Sequence, residues 1–85
     1  MQLIKTFDFN RALDKLPKSI QTLFHIQEER FILNRDDQRL HIKKLKKFDK
    51  DFSFRITRRY RAVFYYRNPD TAVCYDIGHR KDVYR

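Results

Sequence analysis

The stretch "FSFRITRRYRAVFYY", residues 52–66, decides the fold, because its apolar residues recur with period two. Phe52, Phe54 and Ile56 fall on one face of a strand, with Ser53, Arg55 and Thr57 on the other. After "TRRY" the alternation resumes, with Tyr60, Ala62, Phe64 and Tyr66 set against Arg61, Val63, Tyr65 and Arg67. A two-residue hairpin would force Arg58 and Arg59 to positive φ, which arginine resists. An odd-length loop avoids this and brings the two apolar faces into line. The opposite face then gathers Arg55, Thr57, Arg61 and Tyr65.

Working outward, "NPD" at residues 68–70 is a strong turn signal, and "TAVCYDI" at 71–77 is a third β-rich run. Ile77 is expected to close that strand, with Gly78, the chain's single glycine, turning the backbone out of the sheet. Upstream, "MQLIKTFDF" predicts a short N-terminal strand. Residues 8–37 predict two helices. Asp8 or Asn10 is placed to cap the first, Pro17 to end it, and Ser19 to cap the second. Leu13, Leu16, Ile20, Leu23, Phe24 and Phe31 supply apolar stripes for the core. Residues 34–51 keep neither period and read as a lysine-rich loop. The sum is one α+β domain over residues 1–85: an N-terminal strand, an αα-hairpin, and a mainly antiparallel sheet of about four strands packed against the helices. The helices cover the apolar face and the basic face stays open.

The net charge of +9 is distributed unevenly. Residues 1–37 carry six basic and six acidic side chains, so the whole excess lies from Gln38 onward. A one-sided positive field attracts polyanions, and its basic residues share their segment with aromatics able to stack on bases. One cysteine, Cys74, excludes an intramolecular disulfide and a cysteine-based zinc site. No apolar run approaches the ~20 residues of a membrane helix, and the N-terminus lacks a signal-peptide core. A cytoplasmic protein without membrane attachment is expected.

Metal and cofactor chemistry find no support. His25, His41 and His79 lack ligand spacing, and no glycine-rich phosphate loop exists. What remains is a basic set: His41, Lys43, Lys44, Arg55, Arg58, Arg59, Arg61, His79 and Arg80, with Tyr84. Such groups suit metal-free RNA cleavage, in which a 2′-hydroxyl needs a base, the phosphate needs positive charge and the leaving oxygen needs a proton. They suit a passive phosphate-binding face equally well.

Residues 52–66 followed by "CYDIGHRKDVYR", residues 74–85, resemble the RelE/ParE superfamily of bacterial type II toxin–antitoxin toxins. The likeness spans the chain and is nearer to the RelE branch. It implies a ribosome-dependent endoribonuclease that cleaves messenger RNA in the A site and halts translation without a metal or cofactor. By the same resemblance Arg61 matches the arginine that holds the scissile phosphate. Arg80, with His79 beside it, matches the residue that stabilises the transition state or acts as acid. Tyr84 matches the terminal tyrosine that stacks on a base or assists proton transfer. The RelE lysine pair falls on Phe52 and Phe54, or on Ser53 and Arg55 under a shifted alignment. The glutamate base of the YoeB type has no counterpart. The general base is therefore open among His41, Lys43 and His79. RNA contacts are assigned to His41, Lys43, Lys44, Lys46, Lys47, Arg55, Arg58 and Arg59, with Lys50 completing the lysine cluster. The implied partners are a cognate antitoxin, the ribosome and messenger RNA, with operator DNA reached only through the antitoxin complex. Two other readings stay open: a ParE-like inhibitor of DNA gyrase, and a non-catalytic nucleic-acid-binding relative. Loss of residues 76–85 is expected to abolish activity before it unfolds the domain.

Overall fold

The computed structural model describes residues 1–45 and 50–83. In chain order these form β1 (Gln2–Lys5), α1 (Phe7–Asp14), α2 (Lys18–Leu33), a 3-10 turn (Gln38–Leu40), β2 (Lys43–Lys44), β3 (Asp51–Arg55), β4 (Tyr60–Asn68), β5 (Thr71–His79) and a short α3 (Arg80–Val83). The five strands lie in the order β1-β5-β4-β3-β2. β1 runs parallel to β5, and the other neighbours are antiparallel.

The central hairpin has the expected register. Phe52 pairs with Phe64 and Phe54 with Ala62, while Arg55 pairs with Arg61. The Ile56 amide donates to the Tyr60 carbonyl at 2.9 Å, leaving a three-residue loop, Thr57 to Arg59. The Thr57 hydroxyl holds that loop by accepting from the amides of Arg59 and Tyr60. Neither arginine has positive φ.

The apolar face made by this register meets both helices in a core dominated by phenylalanine. Phe9, Phe24, Phe31, Phe54 and Phe64 are fully buried. Ring centroids lie 5.2 Å apart for Phe9 and Phe24, and 5.1 Å apart for Phe31 and Phe64. Each buried phenylalanine removes enough apolar area to stabilise the fold by about 2–3 kcal/mol, and offset or edge-on ring pairs add a little more. Five such rings on two helices and two strands are how so short a chain builds a core.

Several local expectations are corrected. Thr6 caps α1, its hydroxyl accepting from the Phe9 amide at 3.1 Å, and Asp8 sits in the first turn, where its charge favours the helix N-terminus. Pro17 begins α2 rather than ending α1, and Ser19 lies inside the helix. Proline suits a helix start, since the amide it lacks would have no partner there. Leu23, expected in the core stripe, is exposed with Ile26 and Leu33 on the outer side of α2. A fifth strand, β2, lies within the stretch read as loop; its two residues are too short to show a period. β5 continues past Ile77, and Gly78 remains in the ladder opposite Arg61 with an ordinary φ. Gly78 is therefore not the turn.

Candidate nucleic-acid interface

Side-chain alternation assigns the residues opposite the helices. Lys43 pairs with Ser53, Ser53 with Val63, and Val63 with Asp76, so these share one row of that face. Arg55, Arg61 and Gly78 form the next row. Lys44 pairs with Phe52 and belongs to the helix side.

Arg61 sits at the centre of this face and is only 4% exposed. Its Nε donates to the Ser53 hydroxyl at 2.8 Å, and its Nη2 donates to the His41 carbonyl and to the Ser53 carbonyl. A charge buried this deeply persists because several acceptors surround it. The face is thus less open than its sequence suggested: Ser53, Val63 and Val73 are also buried.

His41 supplies one of those acceptors from a left-handed backbone, with φ of 46°. Histidine adopts that region more readily than most side chains, yet at some cost. The preceding turn is tightly held. The Asp37 carboxylate accepts from the Arg39 guanidinium at 2.7 Å and 3.0 Å, and from the Arg39 amide at 2.9 Å. These bonds hold the Asp37 carboxyl at about 2, below the usual carboxylate range. From α2, the buried Gln27 donates to the carbonyls of Arg39 and Arg55, tying the turn to the end of β3. The His41 segment is fixed from both sides, and the imidazole stays exposed.

α3 closes the face at its other end. The Arg80 amide donates to the Arg59 carbonyl at 2.7 Å, and α3 packs against β5 and β4. A Cβ added at Gly78 would lie 3.7 Å from Val83 Cγ1. Because Gly78 pairs with Arg61, this places Val83 on the Arg61 side of the sheet. Arg80 is exposed at the start of this helix.

The structure therefore brings Lys43, Arg55 and Arg61 onto one face, with the His41 backbone against Arg61 and α3 alongside. It does not bring His79 there. His79 pairs with Tyr60 on the helix side, with ring centroids 5.8 Å apart, and its Nδ1 accepts from the Lys81 amide. Arg58 and Arg59 are exposed at the β3–β4 loop. Lys46, Lys47 and Tyr84 lie outside the described residues. Phe52 and Phe54 point into the core, so Ser53 and Arg55 are the β3 residues that share a face with Arg61. Sequence reasoning missed Ser53 as the partner of Arg61; a small polar residue between two core phenylalanines was the signal. Among the described residues no three histidine, cysteine, aspartate or glutamate side chains gather as a metal site. No helix among them is long and apolar enough to cross a membrane.

No protein-family model matches the sequence, and no curated protein does. Solved structures do match. A chain of the RelB–RelE antitoxin–toxin complex from Methanococcus jannaschii superposes with a TM-score of 0.77 at 23% identity, over 95% of this chain and 94% of that one. The YoeB/ParE toxin from Agrobacterium tumefaciens gives 0.76 at 13% identity, over 94% and 99%. A chain of the RelBE2 toxin–antitoxin complex from Mycobacterium tuberculosis gives 0.69 at 26% identity, over 93% and 96%. The fold is that of the RelE/ParE toxins, and the resemblance drawn from residues 52–66 and 74–85 holds at the level of structure.

Proposed function

We propose that this chain is the toxin of a type II toxin–antitoxin system and acts in the cytoplasm as a ribosome-dependent endoribonuclease on messenger RNA. The observation that carries this reading is the grouping of Lys43, Arg55 and Arg61 on one sheet face, with α3 and Arg80 folded beside it. On such a face the cations hold a phosphodiester and stabilise the charge of its pentavalent state. The substrate's own 2′-hydroxyl is the nucleophile, leaving a 2′,3′-cyclic phosphate and a free 5′-hydroxyl. Of the candidate bases, Lys43 shares the sheet face of Arg61 and His41 approaches it through its main-chain carbonyl, whereas His79 pairs on the helix side. The partner that silences the activity is an antitoxin covering this face, in keeping with the antitoxin–toxin complexes among the structural neighbours. The test is incubation with programmed ribosomes, followed by primer extension on the message. Cleavage at a defined A-site position is expected, and Arg80→Ala should reduce it while relieving growth arrest on induced expression. An intact message at every protein concentration overturns the reading.

The engagement of Arg61 by Ser53 and His41 supports a second reading, in which the same fold binds without cutting. A ParE-like gyrase inhibitor would produce DNA breakage and an SOS response with total messenger RNA intact. A non-catalytic nucleic-acid-binding relative would produce neither effect.

A further inference from the structure

We propose that Tyr65 and Tyr75 form a base-stacking platform for single-stranded nucleic acid on the face that carries Arg61. The proposal rests on the nucleic-acid reading of that face and adds a subsite to it.

Strand alternation alone does not explain where Tyr75 points. The β4–β5 register slips between Val63 and Phe64: Val63 pairs with Asp76, but Phe64 pairs with Cys74. Tyr75 is the extra residue of this bulge. Cys74 and Ile77 both remain in the core, so the bulge turns Tyr75 and Asp76 together to the side away from the helices. Bulges commonly re-aim a side chain in this way beside functional sites. Tyr65, opposite Asp51 and Val73, occupies the same side. The two rings meet with centroids 6.0 Å apart and planes tilted by 46°, and both are half-buried. Tyr66, the next residue on β4, faces the core instead and packs on Phe64 at 5.3 Å. The paired tyrosines are thus a surface feature separate from the aromatic core.

A cross-strand aromatic pair stabilises a sheet without any ligand. Charge placement favours a ligand here. Arg55 and Arg61 occupy the far row of this face, with Lys43 at the sheet edge in the row between. Tyr65 lies four residues along β4 from Arg61, about 13 Å at the usual rise of a strand. Asp51, which adds to burial in raising the pKa of the Tyr75 hydroxyl, and the exposed Asp76 flank the rings. Those carboxylates repel phosphate locally while leaving aromatic faces for uncharged bases. A single strand is then oriented, with its backbone on the arginines and a base on the tyrosines. Stacking of this kind tolerates any base, so the platform sets affinity and direction rather than sequence.

The test uses the purified chain and short labelled RNA oligomers at low salt, read by fluorescence anisotropy. One oligomer is intact, and one carries abasic positions along an unchanged phosphate backbone. The intact oligomer should bind more tightly by about 5-fold to 100-fold, the range expected for a stacked base. Tyr65→Leu and Tyr75→Leu should each remove most of that difference, and Tyr65→Phe should keep it. Equal affinity of the unmodified protein for the two oligomers overturns the platform, whether or not the leucine variants fold. A-site cleavage on programmed ribosomes that is unchanged in a folded Tyr65→Leu, Tyr75→Leu double variant also overturns it, while leaving the endoribonuclease reading intact. Base-dependent binding without message cleavage upholds the platform and defeats that reading instead.

Discussion

Arg61 on β4 donates to the main-chain carbonyl of His41, the one described residue with a left-handed backbone. The arginine proposed to hold a phosphate is therefore also a fastener that binds the segment after the 3-10 turn to the sheet. A phosphate arriving here meets a guanidinium already engaged by Ser53 and His41. It must share those donors or displace an acceptor. If Arg61 holds a phosphate it serves fold and site together, and the two roles separate in different measurements.

Arg61→Ala should lower stability by about 2–4 kcal/mol, the range for breaking a buried, hydrogen-bonded charge network. Arg55→Ala removes a half-buried side chain from the same face and should cost under about 1 kcal/mol. Urea denaturation of the two variants checks this. Loss of growth arrest in Arg61→Ala then reports unfolding as much as chemistry, whereas loss in Arg55→Ala or Arg80→Ala reports the site. An Arg61→Ala protein with the parent's midpoint and slope would show that Arg61 is no fastener.

The left-handed backbone at His41 makes an opposite prediction. Glycine adopts this region freely, and histidine does so at a cost of roughly 1 kcal/mol, close to the entropy that glycine adds to the unfolded chain. His41→Gly should therefore melt within about 1 kcal/mol of the parent while removing the imidazole. His41→Val, whose branched side chain is poorly tolerated there, should lose about 1–2 kcal/mol. If His41→Gly folds normally and still cleaves message on ribosomes, the imidazole is not the general base, and Lys43 remains.

The particular residues show what was legible in the sequence. Period two across residues 52–66, together with an odd-length loop that keeps Arg58 and Arg59 from positive φ, pointed to the observed hairpin register, because burial of one face leaves a strand little freedom to slip. The bulge at Tyr75 was not legible: it depends on how Cys74 and Ile77 both reach the core across β4, a tertiary requirement with no local signal. His79 and Arg80 are adjacent in the chain and read as one basic pair. Yet His79 ends a strand on the helix side, whereas Arg80 starts a helix that folds onto the other. The burial of Arg61 escaped for a similar reason, since arginine on an alternating strand reads as solvent-facing until Ser53 and the His41 carbonyl are placed around it.

The turn that presents His41 should depend on pH at the acid end. Hydrogen bonds from the Arg39 side chain, then from its amide, hold Asp37 at about 2, against 3.8 for the ordinary side chain. A carboxyl held below its unfolded value contributes stability when ionised. That contribution is complete above about pH 4 and is lost as pH falls through about 2. Arg39→Gln should move the Asp37 midpoint up towards the ordinary value, followed by NMR of the carboxyl carbon. The variant should also lose less stability than the parent between those two pH values. An unmoved Asp37 midpoint would mean that other groups hold the carboxylate.

The C-terminal segment divides at residue 79. Removing residues 80–85 takes α3 and leaves β5 paired over its whole length. Removing 76–85 also takes the buried Ile77 and the pairs that Arg61 and Tyr60 make with Gly78 and His79. That loss should exceed the few kcal/mol by which a domain of this size is stable. The shorter truncation should keep a cooperative thermal transition and lose ribosomal cleavage. The longer one should show no transition at all, unlike the sequence-based expectation that losing residues 76–85 abolishes activity before it unfolds the domain. Gly78 refines the division. A methyl group there meets Val83 at ordinary contact distance, so Gly78→Ala should melt within about 1 kcal/mol of the parent and keep α3 in place. Gly78→Phe has no such room and should push α3 off the face, reproducing the activity loss of the 80–85 truncation in a chain of full length. A fully active Gly78→Phe protein would mean that α3 need not lie against Gly78 for the site to work.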